Sequence, residues 1–505
     1  MTSDVVGALT VAVGLPGGLR WLRIAQREHY IAGSVTRFAV RWWTSRPQNL
    51  ASGLVLAASV AAAWAGLWEG AVASAAVSLA APFGLSYRGR TAPLAWTRRL
   101  RTLAAVAVLL TAAVAVAGAA GGILLGIGAT LAAFLPVITD GALMVAAPLE
   151  RRLGRRFVRS AKQRLAAVSP RVVAITGSYG KTSTKVYVGH LLRDKYVTLT
   201  SPASFNNVAG LSRSINERLV PGTEVFVAEM GTYGRGEIRA LCAWLRPEVA
   251  VITAVGPVHL ERMGTLDNIA RAKSEILETA HVGVLNIDDP RLAVIAQDFS
   301  QRGGKLIRCS TTDTGADVYV AADGEIISVH GRSLGTVTVL GGFAANLACA
   351  IGVAVAMEIP ESDIAASLAT LPRPDHRQTI DKAANGVMVI DDTYNSNPAG
   401  CAAALETLAD VGGGRRRVVV TPGMVELGRE QANANETFAR QAAKTATDII
   451  VVGQTNRRAL LRGATGGPAQ VTTCASRADA VAWVRSRLQA GDAVLYENDL
   501  PDHYP

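Results

Sequence analysis

Cysteine is scarce in this chain of 505 residues: there are five, at positions 242, 309, 349, 401 and 474, with no CxxC pair and no metal-ligand spacing. That excludes a zinc site and a disulfide framework, and the thiols read as small buried residues of a reducing compartment. With 50% apolar and only 18% charged residues, the chain is too hydrophobic to be disordered or to coat nucleic acid. Charge is also missing locally. Between Arg46 and Arg88 the only charged residue is Glu69, and from Thr102 to Thr139 there is none in 38 residues. No basic residue precedes the apolar run Val5–Leu19, which argues against a cleaved signal peptide. That run, interrupted by Pro16-Gly17-Gly18, is either a fifth span or a re-entrant or interfacial segment.

As one helix, 38 residues would reach about 57 Å, nearly twice the ~30 Å hydrocarbon core. A hairpin of two spans is therefore predicted, turning at Gly118–Gly122, and a second one turning at Glu69-Gly70. Soluble helices rarely lack a polar face for so long. Arginines flank both hairpins on the side away from their tips: Arg37, Arg41 and Arg46, then Arg88, Arg90, Arg98, Arg99 and Arg101, then Arg151, Arg152, Arg155, Arg156 and Arg159. By the positive-inside rule the tips are external and everything from Arg151 onward is cytoplasmic, in the cell membrane's inner face. Trp42, Trp43 and Trp96 suit an interfacial belt.

The net charge of +11 divides unevenly along the chain. Residues 1–170 hold 18 basic and 5 acidic residues, a net +13, and residues 171–505 are nearly neutral at −2. The basic excess thus reports membrane topology rather than a nucleic-acid face. The expected fold class is multi-domain: an N-terminal α-helical membrane region of four to five spans (1–150), a basic juxtamembrane helix (151–170), an α/β P-loop ATPase domain (171–371) and a C-terminal Rossmann-like α/β domain (372–505). The basic helix, with Phe157, Val158 and Leu165 interleaved, is attracted to anionic lipid at about 1 kcal/mol per basic residue. The segment 23–30, with Gln26, Glu28, His29 and Tyr30, is more polar than an anchor requires and is a candidate lining for the path of the substrate.

A β-branched run at Arg171–Ile175 leads into Thr176-Gly177-Ser178-Tyr179-Gly180-Lys181-Thr182-Ser183 and a helical stretch through Leu192. Strand, glycine turn and helix start in that order make a phosphate site: free N–H groups and the helix dipole face the anion, Lys181 adds a point charge, and the Thr182 hydroxyl can ligate Mg²⁺. Downstream, a strand over Thr223–Ala228 ends in Glu229-Met230-Gly231, which puts Glu229 at the carboxyl end of a strand, where ligands collect in α/β sheets. Another strand, Val249–Ala254, precedes Gly256-Pro257-Val258-His259, and Lys273 follows on a helix.

Together these residues resemble the Mur ligases. The loop TGSYGKTS, the run Asn206-Asn207-Val208-Ala209-Gly210, the strand end AEMG, HLERMGTLDNIARAKSEI at 259–276 and IDDTYNSNPAG at 390–400 stand in that family's order and spacing, from about Val172 to about Gly453. The resemblance implies an ATP-dependent carboxylate–amine ligase of cell-wall precursor synthesis that works through an acyl phosphate. Within the family it leans to the members that add D-alanyl-D-alanine to a muramoyl tripeptide. It implies ATP and Mg²⁺ as cofactors, a cell-wall precursor peptide and an amino-acid or dipeptide amine as substrates, and the lipid bilayer and other wall-synthesis proteins as partners.

Carried over residue by residue, Gly177, Ser178, Tyr179, Gly180, Lys181, Thr182 and Ser183 would hold ATP phosphates. Thr182 and Glu229 would hold one Mg²⁺, and His259 with a carbamylated Lys273 a second; Lys181, Glu229, His259 and Lys273 would be the catalytic set. Asn346 and Arg377, after His376, would contact the nucleotide, and Asp392 its ribose. Asn206, Asn207, Tyr394, Asn395 and Asn397 would line the substrate. The chain departs from the pattern at Phe343, at Gly423, and at Glu497-Asn498-Asp499, where relatives carry Lys-Gly-Ser. The last departure leaves the acceptor open. A ligase on a lipid-linked or poly-γ-glutamate-type precursor and a non-catalytic membrane scaffold with an ATP-binding switch stay as alternatives; two retained metal-ligand sets speak for the enzyme.

Overall fold

The computed structural model describes residues 3–87, 94–202, 205–258, 260–337, 343–372, 379–393, 396–412, 415–500 and 504. It divides into two compact units, residues 1–155 with 500–505, and residues 156–499.

The first unit is helical. Helices α1 (Ser3–Gly14) and α2 (Gly18–Arg27) join through a short turn into a 25-residue apolar segment. They are followed by α3 (Ser34–Thr44), α4 (Pro47–Trp64), α5 (Trp68–Ala80), α6 (Arg98–Ala120), α7 (Leu124–Ala133) and α8 (Leu135–Val168). The first hairpin, α4 with α5, turns at residues 65–67, slightly before the predicted Glu69-Gly70. Glu69 lies instead in the first turn of α5, where its carboxylate faces the positive end of the helix dipole. The second hairpin turns at residues 121–123, at the end of the predicted Gly118–Gly122.

Helix α7 bends by 82° into α8, so the basic stretch 151–168 continues an apolar helix rather than starting a new one. Among the described residues, Ser3–Arg27 and Arg98–Ala120 are long and apolar enough to cross a bilayer, and the bent pair α7–α8 would make a third. Helices α4, with 18 residues, and α5, with 13, fall short of the ~20 residues of a usual span. The unit turns bulky apolar side chains outward, including Leu54, Leu109 and Val116, each about two-thirds exposed. Inside it, buried Asp140 accepts from Gly33 N, Thr36 N and Thr36 Oγ1 at 2.6–2.8 Å, supplying from another helix the N-terminal cap that Gly33 cannot give α3.

The second unit holds two sheets. The first contains β1 (Arg171–Thr176), β2 (Thr198–Thr200), β3 (Val225–Glu229), β4 (Val249–Ile252), β5 (Val282–Asn286), β6 (Lys305–Ser310), β7 (Val318–Val320), β8 (Ile327–Val329) and β9 (Arg332–Gly335) in the order β2-β3-β1-β4-β5-β6-β7-β8-β9. It is parallel as far as β7, and β8 and β9 close it antiparallel. Alternate residues serve opposite faces. Val173, Ile175, Val225, Val227 and Val251 pack with Leu347 and Ile351 on one side, and Val172, Ala174, Phe226, Ala228 and Ile252 pack with Leu211 and Ile215 on the other. Burial on both faces is why these strands are almost uninterrupted apolar runs.

The second sheet comprises β10 (Thr379–Lys382), β11 (Met388–Asp392), β12 (Arg417–Thr421), β13 (Asp448–Val452), β14 (Gln470–Cys474) and β15 (Ala493–Glu497), in the order β10-β11-β15-β12-β13-β14. Among the described strands, the edge strand β10 alone is antiparallel. In the first sheet the chain leaves β1 toward β3 and β2 and then returns to its other side at β4, a switch point that opens a crevice at the carboxyl end of β1. The sheet interior sets the stability of everything built on that crevice. Phe226→Ala in the fully buried β3 is expected to cost about 3–5 kcal/mol and lower the thermal midpoint of the detergent-solubilised chain, with Val208→Ala on an exposed site as the near-neutral control.

Candidate active site at the carboxyl ends of the sheets

The loop after β1 is held from several sides. Ser178 N donates to Ala254 O at 2.8 Å, Ser178 Oγ and Gly256 exchange hydrogen bonds at 2.9 and 3.1 Å, and Thr253 Oγ1 donates to Tyr179 O. Gly180, at φ +79°, ends the loop against Asn346, whose Oδ1 occupies the space a Cβ would need. Glycine is required there on both counts. Helix α9 (Lys181–Leu192) starts at the next residue, so its first N–H groups face the crevice. Lys181 Nζ folds back over the loop and donates to Gly177 O at 2.8 Å. Among the described residues, Ser183 Oγ and Tyr179 OH are buried without a hydrogen-bond partner, and burial pushes the Tyr179 hydroxyl well above the usual tyrosine range.

Glu229, the last residue of β3, is the centre of the polar cluster. Its carboxylate accepts from Thr182 Oγ1 at 3.1 Å, from Lys185 Nζ at 2.8 Å and from Asn206 Nδ2 at 3.4 Å. Burial alone would raise this carboxyl, but the ammonium charges of Lys185 and Lys181 outweigh it and hold Glu229 below the ordinary carboxylate range. Lys185 and Glu229 are each 4% exposed, a buried ion pair that the sequence motifs did not single out. The signal was available: Lys185 stands four residues after Lys181, one helical turn along α9.

Lys273 is also buried, and burial together with the charge on Lys181 pushes its ammonium well below the ordinary lysine range. Lys181 and Lys185 thus bear on one carboxylate, and Lys273 lies within reach of the Lys181 charge. Among the described residues no cluster of three or more His, Cys, Asp or Glu forms a metal site. The oxygens that fit Mg²⁺ are those of Thr182 and Glu229, a hard hydroxyl and carboxylate pair. His259, Arg377, Tyr394 and Asn395 lie outside the described residues.

Other predicted residues take supporting places. Asn207 Oδ1 caps α10 (Val208–Arg218) by accepting from Gly210 N at 2.9 Å, and Asn206 O accepts from Gly231 N at 2.8 Å, tying this run to the end of β3. Asn397 Oδ1 accepts from Gly400 N at 3.0 Å at the start of the helix Pro398–Gly412. Asp392 ends β11 beside Glu497, its register partner on β15, and Glu497 accepts from Ser396 Oγ at 2.6 Å. Burial first, and then the Asp392 charge, push the Glu497 carboxyl up to about 8. The short helix Leu260–Met263 packs on Gly428–Glu430, which brings the carboxyl ends of the two sheets toward each other.

Comparison with known proteins accords with this geometry. The model of the Mur ligase middle domain matches residues 175–354, and that of the Mur ligase glutamate ligase domain matches residues 376–496. The UDP-N-acetylmuramoyl-tripeptide–D-alanyl-D-alanine ligase of Mycobacterium leprae is 31% identical over 381 residues, 67% of this chain and 73% of that one. The chain belongs to the Mur ligase family. The enzyme of the same name from Mycobacterium tuberculosis is 32% identical over 64% of this chain and 69% of its own. Among solved structures, the MurF ligase of Thermotoga maritima in complex with ADP superposes with a TM-score of 0.59 at 25% identity, over 68% of this chain and 80% of that one. As a Mur ligase, the chain is an ATP-dependent peptide ligase.

Two outcomes test the electrostatics of this Mur ligase. Lys185→Met leaves the Glu229 charge buried without its nearest cation and is expected to destabilise the chain by about 3–5 kcal/mol, and Glu229→Gln in the same chain should recover much of the loss in a double-mutant cycle. Glu497 holds a proton in the folded chain that the unfolded chain releases, so its contribution to stability is complete below about 4.5 and lost as pH rises through about 8. The thermal midpoint of the wild type should therefore fall over that window relative to Glu497→Gln, which carries no titrating group.

Proposed function

We propose that this Mur ligase is anchored in a membrane by residues 1–150 and joins a muramoyl peptide carboxylate of a cell-wall precursor to D-alanyl-D-alanine or a related amine. The single observation that carries the catalytic half of this reading is the cluster of Lys181, Thr182, Lys185 and Glu229 at the carboxyl ends of β1 and β3. The amine assignment draws on the D-alanyl-D-alanine ligases to which the chain is about 30% identical. The anchoring half rests on the helices Ser3–Arg27 and Arg98–Ala120 and on the arginines that flank the apolar stretches.

In the proposed reaction a carboxylate oxygen attacks the γ-phosphorus of ATP and ADP leaves; an amine then attacks the acyl carbon, phosphate departs, and the amine nitrogen gives up its proton. The first step brings anions together, so the site must supply positive charge that is already in place. Lys181, over the glycine loop, and the N–H groups that open α9 provide it for the β- and γ-phosphates. Lys185 keeps Glu229 ionised and turned toward Thr182. Thr182 and Glu229 would hold Mg²⁺, which when bound neutralises phosphate charge. Burial, and then the charge on Lys181, push the Lys273 ammonium well below the ordinary lysine range, which favours the neutral amine that a carbamate ligand would be made from. Asn346 fixes the end of the loop; Asp392 would contact the ribose, and Asn397, which caps the helix Pro398–Gly412, would line the substrate.

Phosphate release from ATP by the detergent-solubilised chain should depend on both a muramoyl tripeptide and D-alanyl-D-alanine, and Lys181→Ala should lower it by at least about 10²-fold. Release that no peptide and amine pair stimulates, at the level of the Lys181 variant, would favour the scaffold reading. In cell fractionation the chain should stay in the membrane pellet after a carbonate wash; its release by carbonate would refute the anchor.

A further inference from the structure

Arg20, on α2, is buried to 3% exposure. Its guanidinium donates to Ala81 O and, at 3.3 Å, to Leu79 O, and it lies over the Tyr87 ring, 4.3 Å from the centroid. Its Nε has no hydrogen-bond partner among the described residues. Every one of these partners is neutral, so among the described residues a full positive charge sits inside an apolar helical unit with no carboxylate against it. Such a charge calls for an anion, and an ionisable group at membrane depth is by default functional.

The loop that Arg20 grips is held by a second arginine as well. Arg46, half-buried just before α4, also has a buried Nε without a partner among the described residues, and its guanidinium lies against Gly84. At Gly84, φ is +85°, a conformation that favours glycine, and a Cβ there would come within 3.1 Å of Arg46 Nη1. Between the two arginines the loop is fixed by neutral groups. Asn49 bonds both Phe83 N and Phe83 O, Trp42 Nε1 donates to Phe83 O at 3.2 Å, and Tyr87 OH donates to Leu79 O at 2.6 Å. Two guanidinium groups with N–H directions unused are therefore held on a stiff loop. Arg23, one turn beyond Arg20 on α2 and 2% exposed, adds charge on the same side of that helix.

We propose that this corner, formed by Arg20 and Arg46 around the loop 81–87, binds the phosphate group of an anionic lipid. Guanidinium matches phosphate oxygens with paired N–H donors and tolerates partial desolvation better than an ammonium does. The phosphate is lipid-borne because the corner closes the α4–α5 hairpin on its arginine-flanked side, with Phe83 nearly half exposed beside it and the apolar flanks of α4 turned outward. The inference rests on the bilayer placement of residues 1–150 proposed above.

The full chain, delipidated in a neutral detergent, is titrated with mixed micelles of phosphatidic acid, with micelles of diacylglycerol, which lacks the phosphate, and with inorganic phosphate. Saturable binding of phosphatidic acid alone is expected, weakened on the order of tenfold or more in both Arg20→Gln and Arg46→Gln. Arg46, at the edge of the corner, keeps the test available if Arg20→Gln does not fold. Equal binding of diacylglycerol, or unchanged affinity in Arg46→Gln, overturns the site; inorganic phosphate competing at matched concentration overturns the lipid source. Release of the chain by carbonate would remove the bilayer reading and this inference with it, whereas a chain retained in the membrane that ignores phosphatidic acid refutes the inference alone.

Discussion

Glu229 carries a negative charge to a place that water barely reaches, and the side chains around it are arranged to make that tolerable. A carboxylate buried alone would take up a proton, and a proton there would end its use as an anion. Lys185 prevents this from one turn inside α9, Thr182 and Asn206 complete the hydrogen bonds, and Ser201 Oγ accepts from the Glu229 amide. The same contacts tie α9 and the run 206–207 to the end of β3. Loop, helix start and strand end thus share one electrostatic knot, and the placement of the glycine loop depends on it.

The charge economy of the second unit follows from this. Residues 171–505 are almost neutral in sum, yet the ammonium groups of Lys181 and Lys185 converge on the crevice beside β1. A site that must receive a triphosphate needs concentrated positive charge, not a basic surface, and concentration comes from topology: β1 lies between β3 and β4, pairing Arg171 with Val225 and Val173 with Val249, residues far away in sequence. At the edge of the second sheet the logic is reversed. Asp392 and Glu497 are both acidic and side by side, so one charge is suppressed, and Ser396 and Cys401 point their donors at the Glu497 carboxyl. The first edge is built to draw anions in, and the second is not.

Much of this was legible in the residues. The strands that begin at Arg171 and Val249 and the helix running to Leu192 stand where their apolar patterns put them, because strands buried on both faces have little freedom in composition. Glu229 falls at a strand end as its position after a β-branched run required. Other features were less visible. The hairpin turn moved ahead of Glu69 because that carboxylate is more favourable inside the first turn of a helix than at a tip. Helix α8 runs through the change from apolar to basic residues at 151 because helix propensity does not stop where hydropathy does.

By itself, the sequence determined the family, the order of the α/β elements, the identity of the phosphate loop and the concentration of basic residues on the helical region, since each of these is written in local pattern and spacing. Tertiary structure alone decided which charges meet. Lys185 looks like any lysine on a helix until β3 brings Glu229 against it, and Glu497 looks like a polar strand end until β15 is inserted beside Asp392. Arg20 looks like one arginine of a basic flank until the helices close around it and leave it on carbonyl oxygens and a tyrosine ring. The physical reason is common to all three: the energy of a charge depends on its depth and its neighbours, and both are set by contacts between residues far apart in the chain.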